Sequence, residues 1–92
     1  MEFLVEMEVK WPPDGDPARR AALGEAEHKR TVELAKAGLL KRLWRVPGRI
    51  ANFGLWEAPD ATELHKAIAS LPLFPWIEAK VHPLAKHPND PL

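Results

Sequence analysis

Ten prolines in 92 residues limit this chain more than any other feature. Proline holds φ near about −65° and has no backbone N–H, so regular elements must end at a proline or begin on one. Pro12-Pro13, Pro59 and Pro72 read as ends, and Pro17 and Pro75 as beginnings.

Residues 2–10 alternate, with Phe3, Val5, Met7 and Val9 on one side and Glu2, Leu4, Glu6, Glu8 and Lys10 on the other. Period-two alternation predicts a strand with one buried face. Asp14-Gly15-Asp16 is turn chemistry, and Asp16-Pro17 is an N-cap acceptor followed by proline at the first helical position. The helix formers from Pro17 to Ala37 extend that helix, and Gly38 stops it. Leu23, Ala26, Leu34 and Ala37 read as its apolar stripe, with Glu27 and Arg30 inside the stripe. Residues 39–47 and 50–57 read as strands joined at Gly48-Arg49. Asp60, with Glu63 three residues later, predicts a capping box opening a second helix on Leu64, Ala67, Ile68 and Leu71. A last strand is expected near Trp76–Val81.

The order β-α-β-β-α-β predicts a ferredoxin-like α+β fold, a four-stranded antiparallel sheet with both helices on one face. At this length residues 1–92 read as a single domain, with about 82–92 as an irregular, proline-rich tail. The other sheet face is left uncovered. Trp44 or Trp56 on it would require cover by another subunit. A chain this short buries only roughly 60–65% of its unfolded surface, which also favours assembly.

Composition removes several function classes. Lys plus Arg is 13 and Asp plus Glu is 13, so the phosphate backbone of nucleic acid finds no positive excess. Cysteine is absent, which removes disulfides and thiolate metal sites. No apolar run approaches the ~20 residues of a membrane span. The N-terminus lacks the layout of a signal peptide, so a cytoplasmic location is expected. His82 and His87 are five apart in the tail, which is not metal-ligand spacing.

Acid–base chemistry remains. Glu27 on an inward helix face would gain basicity from partial burial. Alternatively it pairs with Arg30 at i,i+3, which would lower its pKa. Arg45 and Asn52, either side of the hairpin turn, would fall roughly across from one another. Arginine offers a fork for a carboxylate, and asparagine can donate to an oxyanion; a solvated strand face is the other reading. His65 is either catalytic or a surface group. Leu71-Pro72-Leu73-Phe74-Pro75-Trp76 either lines a pocket or caps the core.

Several strings together carry more than pattern. Leu43-Trp44-Arg45-Val46, Gly48, Ala51-Asn52-Phe53, Glu63-Leu64-His65, Leu71-Pro72-Leu73-Phe74-Pro75 and His87-Pro88, in that order, resemble the muconolactone delta-isomerase family. The opening Met7-Glu8-Val9-Lys10, Pro12, Asp14 and Asp16-Pro17 is similar too. The resemblance implies a ferredoxin-like subunit in a large homo-oligomer, a decamer in the family. It implies conversion of muconolactone to 3-oxoadipate enol-lactone in catechol breakdown, without cofactor or metal. On that reading Glu27 is the base that moves the proton, and Asn52 or His65 donates to the lactone carbonyl. Arg45 takes the substrate carboxylate. Arg30 departs from the family, where an uncharged residue is more typical. It either holds Glu27 ionised and weakens it as a base or serves as a second carboxylate clamp. Trp44, Phe53, Phe74 and Trp76 form apolar walls. Ile50, Phe53 and Trp76 stand where the resemblance implies tyrosines, which opens the reading to a substituted (methyl) muconolactone. A cofactor-free oxygenase and a non-catalytic oligomeric binding protein are the other expectations for such a scaffold.

Overall fold

In the computed structural model, which describes residues 1–92, the alternating N-terminal segment is strand β1 (Glu2–Val9), an inner strand of the sheet. Helix α1 (Pro17–Lys36), strands β2 (Leu40–Arg45) and β3 (Ala51–Glu57), helix α2 (Ala61–Ala69), a 3-10 turn (Phe74–Trp76) and strand β4 (Ile77–Leu84) follow. The sheet order is β2-β3-β1-β4, and every neighbouring pair is antiparallel. This is the ferredoxin-like α+β fold the sequence predicts.

Local chemistry sets the helix ends. Asp16 accepts from the Ala18 N–H at 3.0 Å, and Pro17 opens α1. At the other end the Leu39 N–H reaches the Leu34 carbonyl and the Gly38 N–H reaches Ala35, both at 3.0 Å. That pair of bonds needs a left-handed residue, and Gly38 supplies φ 82°. Asp60 caps α2 by accepting from the Glu63 N–H at 2.8 Å. The expected capping box is half made, because the Glu63 carboxylate turns to Lys66 at 3.1 Å.

One cluster on the helix side holds the layers together: Phe3, Val5 and Met7 of β1, Leu40, Trp56, Leu34 of α1, and Leu64, Ala67, Ile68 and Leu71. Trp56 therefore belongs to the core, at 3% exposure, whereas Trp44 is 43% exposed on the open side. The stripe of α1 is rotated from the one read in sequence. Arg20, Leu23, Gly24, Glu27, Arg30, Thr31 and Leu34 turn inward, while Ala26 and Ala37 are exposed. Alanine gains little by burial, and Glu27 finds an inward partner, so the polar register wins. β4 runs to Leu84, three residues beyond the strand expected from sequence, and Pro83 pairs with Phe3. An edge strand tolerates a proline whose missing N–H faces away from the ladder. The irregular tail is therefore residues 85–92 rather than 82–92.

Candidate active site

Glu27 lies near the middle of α1, half-buried, and its Oε1 accepts from the backbone N–H of Leu73 at 2.9 Å. The Leu71–Trp76 segment is thus docked beneath α1 by a carboxylate. Burial raises the Glu27 pKa above the usual carboxylate value, the largest influence on it. The Leu73 N–H and the positive charge of Arg20 pull the other way without cancelling it. The ion pair with Arg30 does not form. Arg30 donates through Nε to Ser70 Oγ at 2.9 Å and lies 3.8 Å from Glu33. Arg30 is spent on joining the two helices, and it clamps nothing beside Glu27.

A register shift between Leu40 and Arg42 decides which way β2 faces. Leu40 pairs with Trp56, but Arg42 pairs with Leu55, so two residues of β2 meet one of β3. After the bulge Leu43 and Arg45 share the helix-facing side with Gly54 and Asn52, while Trp44 pairs with Phe53 on the open side. Arg45 and Asn52 are direct cross-strand partners, as the hairpin reading predicts. Trp44 and Phe53 are not walls for Glu27 in this subunit, because they lie on the far side of the sheet. The Arg42 guanidinium stacks 4.9 Å above the Trp44 ring there.

Two buried polar side-chain atoms have no partner in the chain, Asn52 Oδ1 and Trp56 Nε1, and both belong to the helix-facing side of β3. Asn52 Oδ1 is thus a buried acceptor with no donor in the chain. His65 is exposed on α2, and its ring meets Phe74 edge-to-face at 6.0 Å. Phe74 is half-buried against the core, next to the Leu73 N–H that holds Glu27. Trp76 packs 4.8 Å from Trp11 and carries the Arg19 guanidinium 5.2 Å above it. Trp11 also lines a groove of about 560 Å³ with Pro12, Pro13, Arg20, Gly24 and Ile50.

Arg45, Asn52, Trp11 and Trp76 share the end of the sheet where β1 and β2 finish and β3 and β4 begin. The Leu71–Trp76 segment held by Glu27 leads into it. Trp56 lies at the other end, opposite Phe3 and Leu40.

The family model described as muconolactone delta-isomerase matches residues 1–90. The Muconolactone Delta-isomerase of Pseudomonas aeruginosa is 36% identical over 89 residues, 97% of this chain and 93% of that one. The protein of the same name from Rhodococcus opacus is 35% identical over 88 residues, covering 96% and 95%. The chain belongs to the muconolactone delta-isomerase family. A crystal structure of muconolactone isomerase superposes with a TM-score of 0.92 at 36% identity, covering all of this chain and 96% of the other.

Within this muconolactone delta-isomerase family member, a carboxylate of raised pKa lies on the same side of the sheet as a cross-strand pair of an amide and an arginine. Such a set can accept a proton, hold it, and stabilise negative charge on an oxygen nearby. Three participants escaped the sequence reading. Leu73 acts through its backbone N–H, which no side-chain identity signals. Arg20 precedes Glu27 by seven residues, two turns along the same helix face, a spacing that the sequence carries. Trp11 follows β1 between two turn signals and carries no motif.

Proposed function

We propose that this chain is a muconolactone delta-isomerase that moves the ring double bond of muconolactone to give 3-oxoadipate enol-lactone, in the breakdown of catechol. Glu27 is the base. A proton leaves the saturated ring carbon next to the far end of the conjugated double bond. Its electron pair forms the new double bond, and the old double bond's pair passes to the lactone carbonyl oxygen. The same carboxyl then returns a proton to the carbon beside the carbonyl. The observation that carries this reading is Glu27 itself, inward on α1, raised in pKa by burial and steered by the Leu73 N–H. A carboxyl poised nearer neutrality both takes and returns a proton at useful rates.

Asn52 is the donor to the carbonyl oxygen. Its Nδ2–H makes no hydrogen bond within the chain, and a pre-aimed donor supplies roughly 3–4 kcal/mol of barrier reduction. His65 is the alternative donor, reached through the edge of Phe74. Arg45, across from Asn52, is one of two arginines free to meet the substrate carboxylate. No helix of the chain is long and apolar enough to cross a membrane. We place the enzyme in the cytoplasm as a homo-oligomer, with the decamer as the expected form and Trp44 and Phe53 as part of the covered sheet face.

Proton NMR of muconolactone in deuterated buffer tests the function. Enzyme-dependent appearance of the enol-lactone is expected, and its deuterium content reports whether one carboxyl carries the same proton across. No turnover of muconolactone, but turnover of a methyl-substituted lactone, would move the substrate to the substituted series. No turnover of either would refute the reading.

A further inference from the structure

Six arginines are present, and four have visible occupations. Arg19 covers Trp76, Arg42 covers Trp44, Arg30 holds Ser70 and Arg49 bridges Glu6 and Glu8. Arg20 and Arg45 make no hydrogen bond or ion pair within the chain. They differ in setting. Arg45 is exposed at the end of an edge strand, where a carboxylate keeps its water and a pair gains little. Arg20 is half-buried in the wall of the groove formed with Trp11, Pro12, Pro13, Gly24 and Ile50.

Gly24 explains how Arg20 reaches the chemistry. The guanidinium extends forward along the helix, with Nη1 only 3.1 Å from where a β-carbon on Gly24 would stand. Any larger residue there would crowd it. Arg20, Gly24 and Glu27 follow one helical stripe, and Glu27 is one turn, about 4.5 Å of rise, beyond Gly24. A lactone ring held at Glu27 with a two-carbon acid arm spans that interval. The indole of Trp11 and Ile50 supply apolar walls that partly dehydrate the guanidinium, which strengthens a forked pair with a carboxylate.

We propose that Arg20 is the substrate-carboxylate clamp of this isomerase, and that the Trp11–Ile50 groove is the subsite for the acid arm. The inference rests on the isomerase reading of Glu27, and it reassigns the carboxylate from Arg45. The guanidinium also stands between two negative groups, the acid arm and Glu27. It therefore keeps the substrate's own charge from repelling the base, consistent with its lowering influence on the Glu27 pKa.

The test compares binding of two unreactive saturated lactones, one with the carboxymethyl arm and one without, read by tryptophan fluorescence. Wild type is expected to prefer the acid-bearing ligand. Arg20→Met should cut that preference about tenfold or more, the scale of a lost charge-assisted pair. Arg20→Lys should restore part of it, because lysine keeps the charge and loses the fork. Arg45→Met should change the preference by less than about threefold. A preference unchanged in Arg20→Met overturns the proposal, and so does a tenfold loss in Arg45→Met with none in Arg20→Met. Should Arg20→Met not fold, an unchanged preference in Arg20→Lys overturns it equally. Turnover is measured separately. Wild type that binds with this preference yet isomerises nothing would refute the function and leave the clamp standing.

Discussion

α1 has 20 residues and fully buries one of them, Leu34; α2 has nine and buries Leu64, Ala67 and Ile68. Both cover the same sheet face. α2 is a packing element, since helices in proteins are held mainly by an apolar face rather than by propensity. α1 is held differently. Its ends are tied by Asp16 and by the Gly38 turn, and its middle is tied by the Glu27–Leu73 and Arg30–Ser70 bonds. The inward stripe of α1 is therefore free to carry Arg20, Gly24 and Glu27, groups that a packed helix could not present. Apolar packing is concentrated on one helix, and the proposed chemistry on the other.

The comparison breaks most visibly at Glu27. Glu27→Gln should lower turnover at least a hundredfold, the usual size of a general-base contribution. Stability should move the opposite way. The folded-state pKa of Glu27 is raised, so the folded chain holds that proton more firmly than the unfolded chain does. Its contribution is present below the unfolded pKa and is lost as pH rises through the folded one. At pH 7 the buried charge is a burden, and glutamine can still accept from Leu73. Thermal melts should show Glu27→Gln slightly above wild type at pH 7, with the gap closing near pH 4. A variant that melts well below wild type at pH 7 would make Glu27 a structural residue.

Ile68→Ala is the mirror experiment on α2. Truncating a core isoleucine should cost about 2–5 kcal/mol by denaturant titration, while turnover per folded molecule stays within about twofold. Loss of turnover at unchanged stability would dissolve the division between the helices. Smaller effects come from the caps. Asp60→Ala and Asp16→Ala each remove one acceptor and should each cost about 1 kcal/mol. Only the Asp16 change, beside the Trp11 groove, should also raise KM.

Much of this division was written in local sequence. The alternation of β1, the Asp16-Pro17 start and the Gly38 stop depend on neighbours alone, and each stands where it was read. The faces of β2 did not follow from alternation. A one-residue bulge between Leu40 and Arg42 exchanges the two sides, so Trp44 leaves the site and Arg45 joins Asn52. Bulges answer to the partner strand and leave little mark in the sequence. Glu27 was legible as an anomaly, a carboxylate inside an apolar stripe. Its true partner was hidden, because Leu73 contributes a backbone N–H from 46 residues away. The i,i+3 spacing with Arg30 misled for a related reason, since Ser70, 40 residues on, competes for the guanidinium.

That competition yields the smallest effect and a sharp sign. Ser70→Ala removes the hydroxyl that holds Arg30 Nε. The bond is exposed, so its loss should cost less than about 1 kcal/mol of stability. Arg30, one turn from Glu27, is then free to swing toward the carboxylate. A nearby guanidinium favours the charged form, so the Glu27 pKa should fall. The base acts as carboxylate, and turnover rises with pH as Glu27 deprotonates, so the acid limb of the kcat profile should move to lower pH. Arg20→Met predicts the reverse. It removes the cation that now lowers the Glu27 pKa, and the limb should move to higher pH. Opposite displacements in the two variants would establish that Glu27 is tuned from both sides along α1. Displacements of the same sign would mean that the limb reports another group.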